Sequence, residues 1–205
     1  MLRPRDGGSV AAALSLAERA GLDRLLGAHE PWDAAEAAHL ERIAAFSGRW
    51  PNPFDRGIAE GHLTGSAFIV DPGGRLLLAH HLRLGIWVQL GGHSDGERMA
   101  EHVAMREARE ESGLLDLAFH PGLAFPEGAP RLLDVDVHAI PARPPQPAHE
   151  HLDLRFLLVT SSPDAIVADA RETKALEWVA LDEARRRCDA GMRRALKRLV
   201  ALRGA

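Results

Sequence analysis

A single cysteine, Cys188, stands in this 205-residue chain, so no disulfide can form within it and there is no basis for a cysteine-built metal site. One thiol of this kind ordinarily serves as a small apolar core side chain. Long apolar runs are also missing, and none approaches the about 18 consecutive residues of a membrane-spanning helix. An excess of either charge is absent too: 25 Lys and Arg against 29 Asp and Glu leave a net charge of −4. That balance gives no electrostatic reason to expect nucleic acid or an anionic membrane as a general partner. Arg3 and Arg5 do precede an apolar stretch from Val10 to Ala17. Asp6 interrupts the basic segment and Glu18 closes the apolar one, so the pattern predicts a helix rather than a secretory signal. The expected location is the cytoplasm. There is no internal repeat.

What remains is the composition of an ordinary globular protein, 46% hydrophobic and 26% charged. The length allows one domain with a full core and a helical extension. Residues 9–47 predict two helices. Ser9 is placed to cap the first, in which Val10, Ala13, Leu14 and Ala17 recur at helical spacing. Pro31 suits the first turn of the second, whose apolar stripe is Ala37, Leu40, Ile43 and Ala44. The prolines and glycine between Gly48 and Asp55 mark a linker. From residue 62 the texture is that of strands. Ala67–Val70 and Arg75–His80 flank the turn Asp71-Pro72-Gly73-Gly74, and Ile86–Leu90 leads to Gly91-Gly92. Two later segments alternate with period two. In one, Leu133, Val135, Val137 and Ala139 oppose Asp134, Asp136 and His138; in the other, Leu152, Leu154 and Phe156 oppose His151, Asp153 and Arg155. The proline-rich stretch 141–147 between them is a loop. A strand over 176–181 and a C-terminal helix ending near Arg203 complete a mixed α/β or α+β pattern.

The segment that carries chemistry is acidic. Arg98 to Ser112 predicts a helix, with Gly113 placed to end it in the left-handed conformation. Successive helical residues rotate by about 100°, so Glu107, Glu110 and Glu111 share one face within one turn. Ala100, Val103 and Ala104 precede them on that face and predict a buried base. Three like charges at this spacing repel, and the C-terminal end of the helix dipole disfavours anions. A hard divalent cation compensates both. Alone, the string reads rather as a solvated Glu/Arg surface with pairs such as Arg106–Glu110, since such strings are common on surface helices. The flanking Gly91-Gly92 and Gly113 move the reading towards a metal site.

Gly92, Arg106, Glu107, Glu110, Glu111, Gly113 and Leu114 stand at a fixed spacing, and residues 92–114 resemble the Nudix box of the Nudix hydrolase superfamily. In that box a glycine is followed by an early glutamate and then by Arg-Glu, an apolar residue, and Glu-Glu before a second glycine. Arg98 stands where the early glutamate falls, with Glu97 beside it, and the loop from Gly92 to Glu97 resembles a Gly-Gly-His variant of the motif. The similarity extends over about residues 62–185, through His80-His81, Leu84-Gly85 and Trp87 before the box and Glu177-Trp178-Val179 after it. It implies an α/β fold: a Nudix-like α/β/α sandwich with a mixed β-sheet over residues 56–205. The N-terminal helical extension, residues 1–55, lies outside the resemblance.

The resemblance also implies a pyrophosphohydrolase of phosphoric anhydrides. Glu107, Glu110 and Glu111 would hold Mg²⁺ or Mn²⁺, Arg106 would orient them, and Gly91, Gly92 and His93 would form the substrate loop. The implied substrate is a small-molecule diphosphate, a nucleoside diphosphate linked to another group or a related nucleotide. Such hydrolysis needs neutralised phosphate charge, an oriented water and a proton acceptor. Glu97, His138, His151 and Asp153 are candidates for the acceptor or for an extra metal ligand, because pairing of the two alternating strands would bring their polar faces together. The bland alternative is the solvent side of a hairpin. His93 reads equally as a structural hydrogen-bonder; Trp87 reads as core rather than a base-stacking platform, and the arginines at 185–187 and 193–194 as a solvated cationic face rather than a nucleic-acid surface. A catalytically weak Nudix-fold ligand-binding or regulatory domain is the competing function, opposed by the intact glutamates. A Nudix-fold isomerase of isoprenoid diphosphates calls for an active-site cysteine, and Cys188 lies far from the box. A homodimer stays open.

Overall fold

Ser15 caps the first described helix in the computed structural model, which describes residues 12–83, 85–144, 146–171 and 173–203. The features expected at Arg3, Arg5, Asp6, Ser9, Val10 and Leu84 lie outside the described residues. Helix α1, Leu16–Gly27, opens with a capping box. The Glu18 N–H donates to Ser15 Oγ at 3.2 Å and the Ser15 N–H donates to the Glu18 carboxylate at 2.6 Å, satisfying two of the donors a helix start leaves open. Asp33 caps helix α2, Ala34–Arg49, so Pro31 precedes the cap instead of occupying the first turn.

Eight strands follow: β1 Gly61–Val70, β2 Leu76–His81, β3 Trp87–Val88, β4 Leu90–Gly92, β5 Ala118–Phe119, β6 Asp134–Ile140, β7 His149–Val159 and β8 Thr173–Val179. Among the described residues three further α-helices follow α2: α3 Ala100–Ser112, α4 Leu181–Arg187 and α5 Ala190–Arg203. The strand expected over 86–90 is divided into β3 and β4, and the single C-terminal helix into α4 and α5. The two-residue β5 is too short to carry a periodic signal. The strands form one mixed sheet. At its centre β1 and β7 run parallel from Gly61–Glu150 to Val70–Val159. Antiparallel neighbours flank them, β2 and β4 on β1, β5 and β6 on β7.

Alternation along β1 and β7 divides the core. Leu63, Ala67 and Ile69 with Leu152, Leu154, Phe156 and Leu158 pack against the small face of α3 and against α1 and α2. Gly65 lets α3 lie directly on β1: a Cβ there would stand 2.7 Å from the Ala100 carbonyl oxygen and 2.9 Å from the Ala104 nitrogen. On the opposite face, Phe68, Val70, Leu76, Leu78 and Leu157 are covered by α4 and α5. Cys188 is buried in that second cluster, where burial pushes its thiol up to about 11. It is a packing residue, as its isolation in the sequence implies.

Helix α2 closes the open edge of β6. The Val135 N–H donates to Glu36 Oε1 at 3.3 Å and the Val137 N–H to His39 Nδ1 at 3.3 Å, so two donors of the edge are occupied. Glu36 is fully buried and also contacts His29 Nε2 at 2.8 Å, the Trp32 N–H at 2.5 Å and Arg198 Nη2 at 3.1 Å. Burial alone would raise its pKa, but His29, the Trp32 N–H and Arg198 together outweigh it and hold the carboxylate down at about 2. Its folded pKa is thus below its unfolded one, so the unfolded chain takes up the proton first and stability is lost as pH falls from about 4.5 towards 2. We expect this one group to remove about 3 kcal/mol over that window. Urea denaturation at about pH 5 and about pH 3 should show the slope in the native chain and a clearly smaller one in Glu36→Gln. Equal slopes would disprove the assignment.

Candidate active site

Helix α3 presents its last turn to a cleft of about 640 Å³ between the β4 loop and the polar face of the sheet. Glu107, Glu110 and Glu111 all line it. The three are not equivalent. Glu107 is 7% exposed, and Gly92 lies so close that a Cβ on it would stand 2.7 Å from the Glu107 Cδ. Glu111 accepts the Gly91 N–H at 3.0 Å. Arg106 binds Glu107 at 2.9 Å and Glu110 at 3.0 Å through one nitrogen. Its other terminal nitrogen donates to the carbonyls of His93 at 2.6 Å and Ser94 at 3.3 Å. One guanidinium therefore ties the carboxylates to the loop before the helix. Gly91, at φ +151°, touches β1: a Cβ would lie 2.4 Å from Ser66 Oγ. Gly113 ends the helix in the left-handed conformation at φ 72°.

Burial pushes Glu107 up to about 7, against the pull of Arg106, with Glu110 and Asp95 adding to the rise. Burial thus outweighs the pull of the single Arg106 guanidinium, and the carboxyl holds its proton longer than an exposed one.

The polar face of the sheet follows from register. His62 on β1 pairs with His151 on β7, and His151 pairs with His138 on β6, so three strands place histidines in one row. His149 adds a ring 5.3 Å from His151, and His93 comes down from the β4 loop to 4.9 Å from it. Burial first, and neighbouring cationic and imidazole groups second, lower His62 to about 3 and His93 to about 4, and lower His151 as well. Further along the face lies an ion network. Arg155 is 3% exposed and donates to Asp153 at 2.9 Å and to Asp134 and Asp136 at 3.1 Å each. Arg194 of α5 joins it, at 2.8 Å from Asp134 and 3.1 Å from Asp136. Arg194 is thus buried, which corrects the expectation of a solvated cationic face at 193–194.

The polar face is accordingly neither a bare hairpin surface nor a uniform set of catalytic groups. Asp153 accepts from Thr64 Oγ1 at 2.9 Å, Ser66 Oγ at 2.7 Å, Gln89 at 3.3 Å and Arg155, leaving it committed to structure. His138 and His151 line the cleft with the glutamates. His138 Nδ1 stands 3.3 Å from Asp136 Oδ2. Glu97 is elsewhere, 3.9 Å from the exposed His102. Arg98, the departure from the box, reaches out to the N-terminal segment and donates to the Ala13 carbonyl at 3.2 Å. Sequence reasoning missed His62, Thr64 and Ser66. Their period-two spacing was the available signal, hidden because the strand begins at Gly61 and not at Ala67.

The sequence profile of the NUDIX domain family matches residues 62–199. Among solved structures, the Ap4A hydrolase of C. elegans in a binary complex has a TM-score of 0.55 at 18% identity, covering 69% of this chain and 97% of that one. The MutT protein from Methanosarcina mazei Go1 has a TM-score of 0.55 at 14% identity, covering 72% and 99%. The dihydroneopterin triphosphate pyrophosphohydrolase of E. coli has a TM-score of 0.50 at 18% identity, covering 68% and 94%. At these identities the likeness is one of fold. No curated protein matches the chain in sequence.

Proposed function

The chain belongs to the NUDIX hydrolase family, and from that membership we propose that it cleaves a diphosphate linkage in a nucleoside diphosphate joined to another group, or in a related nucleotide, with Mg²⁺ or Mn²⁺ held by Glu107, Glu110 and Glu111. The observation that carries the reading is the joint presentation of these carboxylates to one cleft, with Glu107 buried and raised to about 7. Oxygen-only donors on a rigid helix suit a hard divalent ion, and such an ion would favour the ionised form of Glu107 that burial disfavours. When bound, the ion supplies neutralisation of phosphate charge and a more acidic water.

The chain's own residues do the rest. Arg106 fixes the carboxylates relative to the loop, and the Gly91 N–H holds Glu111. Arg56 and Arg83 also line the cleft and bring positive charge to an anionic phosphate chain. For the proton acceptor we choose His138, which lines the cleft and is oriented by Asp136, the pairing that fixes an imidazole for general-base work. Asp153 already accepts from four donors and Glu97 is not among the residues lining the cleft, so neither is assigned the role.

Incubating the purified chain with a panel of nucleoside diphosphate-linked compounds, with Mg²⁺, Mn²⁺ or a chelator, tests the proposal. Metal-dependent release of phosphate products is the expected result, and no turnover of any diphosphate with either ion would overturn it. A smaller substitution probes the site's geometry. Gly92→Ala drives a methyl into the Glu107 carboxylate, and an ångström of displacement at a reacting centre costs about 10²-fold in rate. We expect kcat/KM to fall by about that factor while the melting temperature shifts little, since the displaced atoms are the end of one side chain. Activity within a factor of about two of the parent would show that Glu107 needs no fixed position.

A further inference from the structure

We propose that His62, His93 and His151 form a second metal site, one for a divalent transition ion of the Zn²⁺ and Co²⁺ class, separate from the carboxylates of α3. One nitrogen from each of the three rings lies within 4.8 Å of the others. Imidazole nitrogens on a common tetrahedral ion stand about 3.3 Å apart for metal–nitrogen bonds of about 2.0–2.1 Å, so a modest rotation of the rings closes the set. The groups come from three separate pieces of the fold. Parallel pairing of β1 and β7 fixes His62 beside His151, and the loop after β4 brings His93 onto them, with ring centroids 5.1 and 4.9 Å away.

The second observation is independent of this spacing. His62 is 3% exposed, and neither of its ring nitrogens has a hydrogen-bond partner. His151 Nε2 is likewise buried and unpartnered. Leaving a buried polar group unsatisfied is costly, and buried ring nitrogens ordinarily find partners. A cation bound by all three rings satisfies them together. Neutral imidazole favours Zn²⁺, Co²⁺ or Ni²⁺ over Mg²⁺, which prefers oxygen ligands. Arg56 is the neighbouring cation, and Asp95 pairs with it at 3.3 Å. His93 and His151 also line the cleft, so an ion on the three rings keeps a coordination position open towards it, as three-histidine catalytic sites do. The inference holds whether or not the glutamates carry the hydrolysis assigned to them.

Titration of the full chain with Co²⁺ in excess Mg²⁺, followed by visible absorption and by calorimetry, is the test. One Co²⁺ per chain with the intense visible bands of low-coordinate cobalt is the expected result. His93→Ala and His151→Gln should each weaken Co²⁺ binding by more than about 100-fold, beyond the loss seen for outer-shell changes. Glu110→Gln should leave both the bands and the affinity intact. If His151→Gln fails to fold by circular dichroism, His93→Ala, on the loop, gives the answer alone. Unchanged Co²⁺ binding in the histidine variants, or its loss in Glu110→Gln, would overturn the proposal, as would no binding at all.

Discussion

Arg155→Met is expected to lower the stability of this protein by about 5 kcal/mol, a large part of the 5–15 kcal/mol of an ordinary domain. Arg155 lies at the centre of the sheet with its three nitrogens on Asp134, Asp136 and Asp153. Arg194 serves Asp134 and Asp136 but does not reach Asp153. Removing the central guanidinium leaves Asp134 and Asp136 sharing Arg194 and Asp153 with no arginine partner. Buried charges stripped of a partner are what make such substitutions severe, whereas an intact pair contributes little net stability. Arg155→Lys, which keeps the charge but loses the fork that serves three acceptors, should fall between the two. Adding Asp153→Asn to Arg155→Met should recover part of the loss, since it removes the carboxylate that has no second cation. Guanidinium unfolding midpoints would measure all three. A loss below about 1 kcal/mol for Arg155→Met would mean that solvent already screens the network.

This network explains what the sequence could and could not tell. Period-two alternation placed Asp134, Asp136, His138, His151, Asp153 and Arg155 on shared faces, and strand pairing put them there. Alternation cannot say whether such a face meets water, substrate or another helix. Arg194 decided that, from a helix 60 residues away along the chain from Asp134. The acidic turn of α3 was legible because its spacing is local: one helix, two glycines and an arginine fix Glu107, Glu110 and Glu111 with no distant information. His62 was not, since its meaning arises only when β1 pairs in parallel with β7, a contact 89 residues apart in the case of His62 and His151. The helix start at Ser15 was missed for a different reason. Ala-rich sequence continues helical periodicity upstream, and the capping box of Ser15 and Glu18 overrides it.

Glu110→Gln shows the opposite balance to Arg155→Met: a large loss of activity with almost none of stability. The Glu110 side chain is 56% exposed and its ion pair with Arg106 is an i,i+4 contact on a helix surface, the kind worth about 0.3–0.5 kcal/mol. In the proposed site, however, it is a ligand, and losing a metal's charge stabilisation of the transition state is worth several kcal/mol, or about 10³-fold in rate. We expect kcat to fall by at least about 10³-fold with Mg²⁺ while the unfolding midpoint stays within error of the parent. Glu107→Gln should be as inactive but differ in stability. Its carboxyl has a folded pKa of about 7 against an ordinary value of 4.5, so the folded chain holds the proton longer than the unfolded one. Ionised Glu107 therefore costs stability progressively as pH rises through that window, up to about 3 kcal/mol. A neutral amide escapes that cost, offset by the partner that Arg106 loses. Metal-free Glu107→Gln should accordingly be at least as stable as the parent at about pH 8, and clearly less so relative to it at about pH 5. A site built for catalysis and not for folding behaves in this way, with its most buried acid weakening the fold until a cation arrives. If instead Glu107→Gln destabilised the metal-free protein equally at both pH values, Glu107 would be a structural acid and the metal assignment would rest on Glu110 and Glu111 alone.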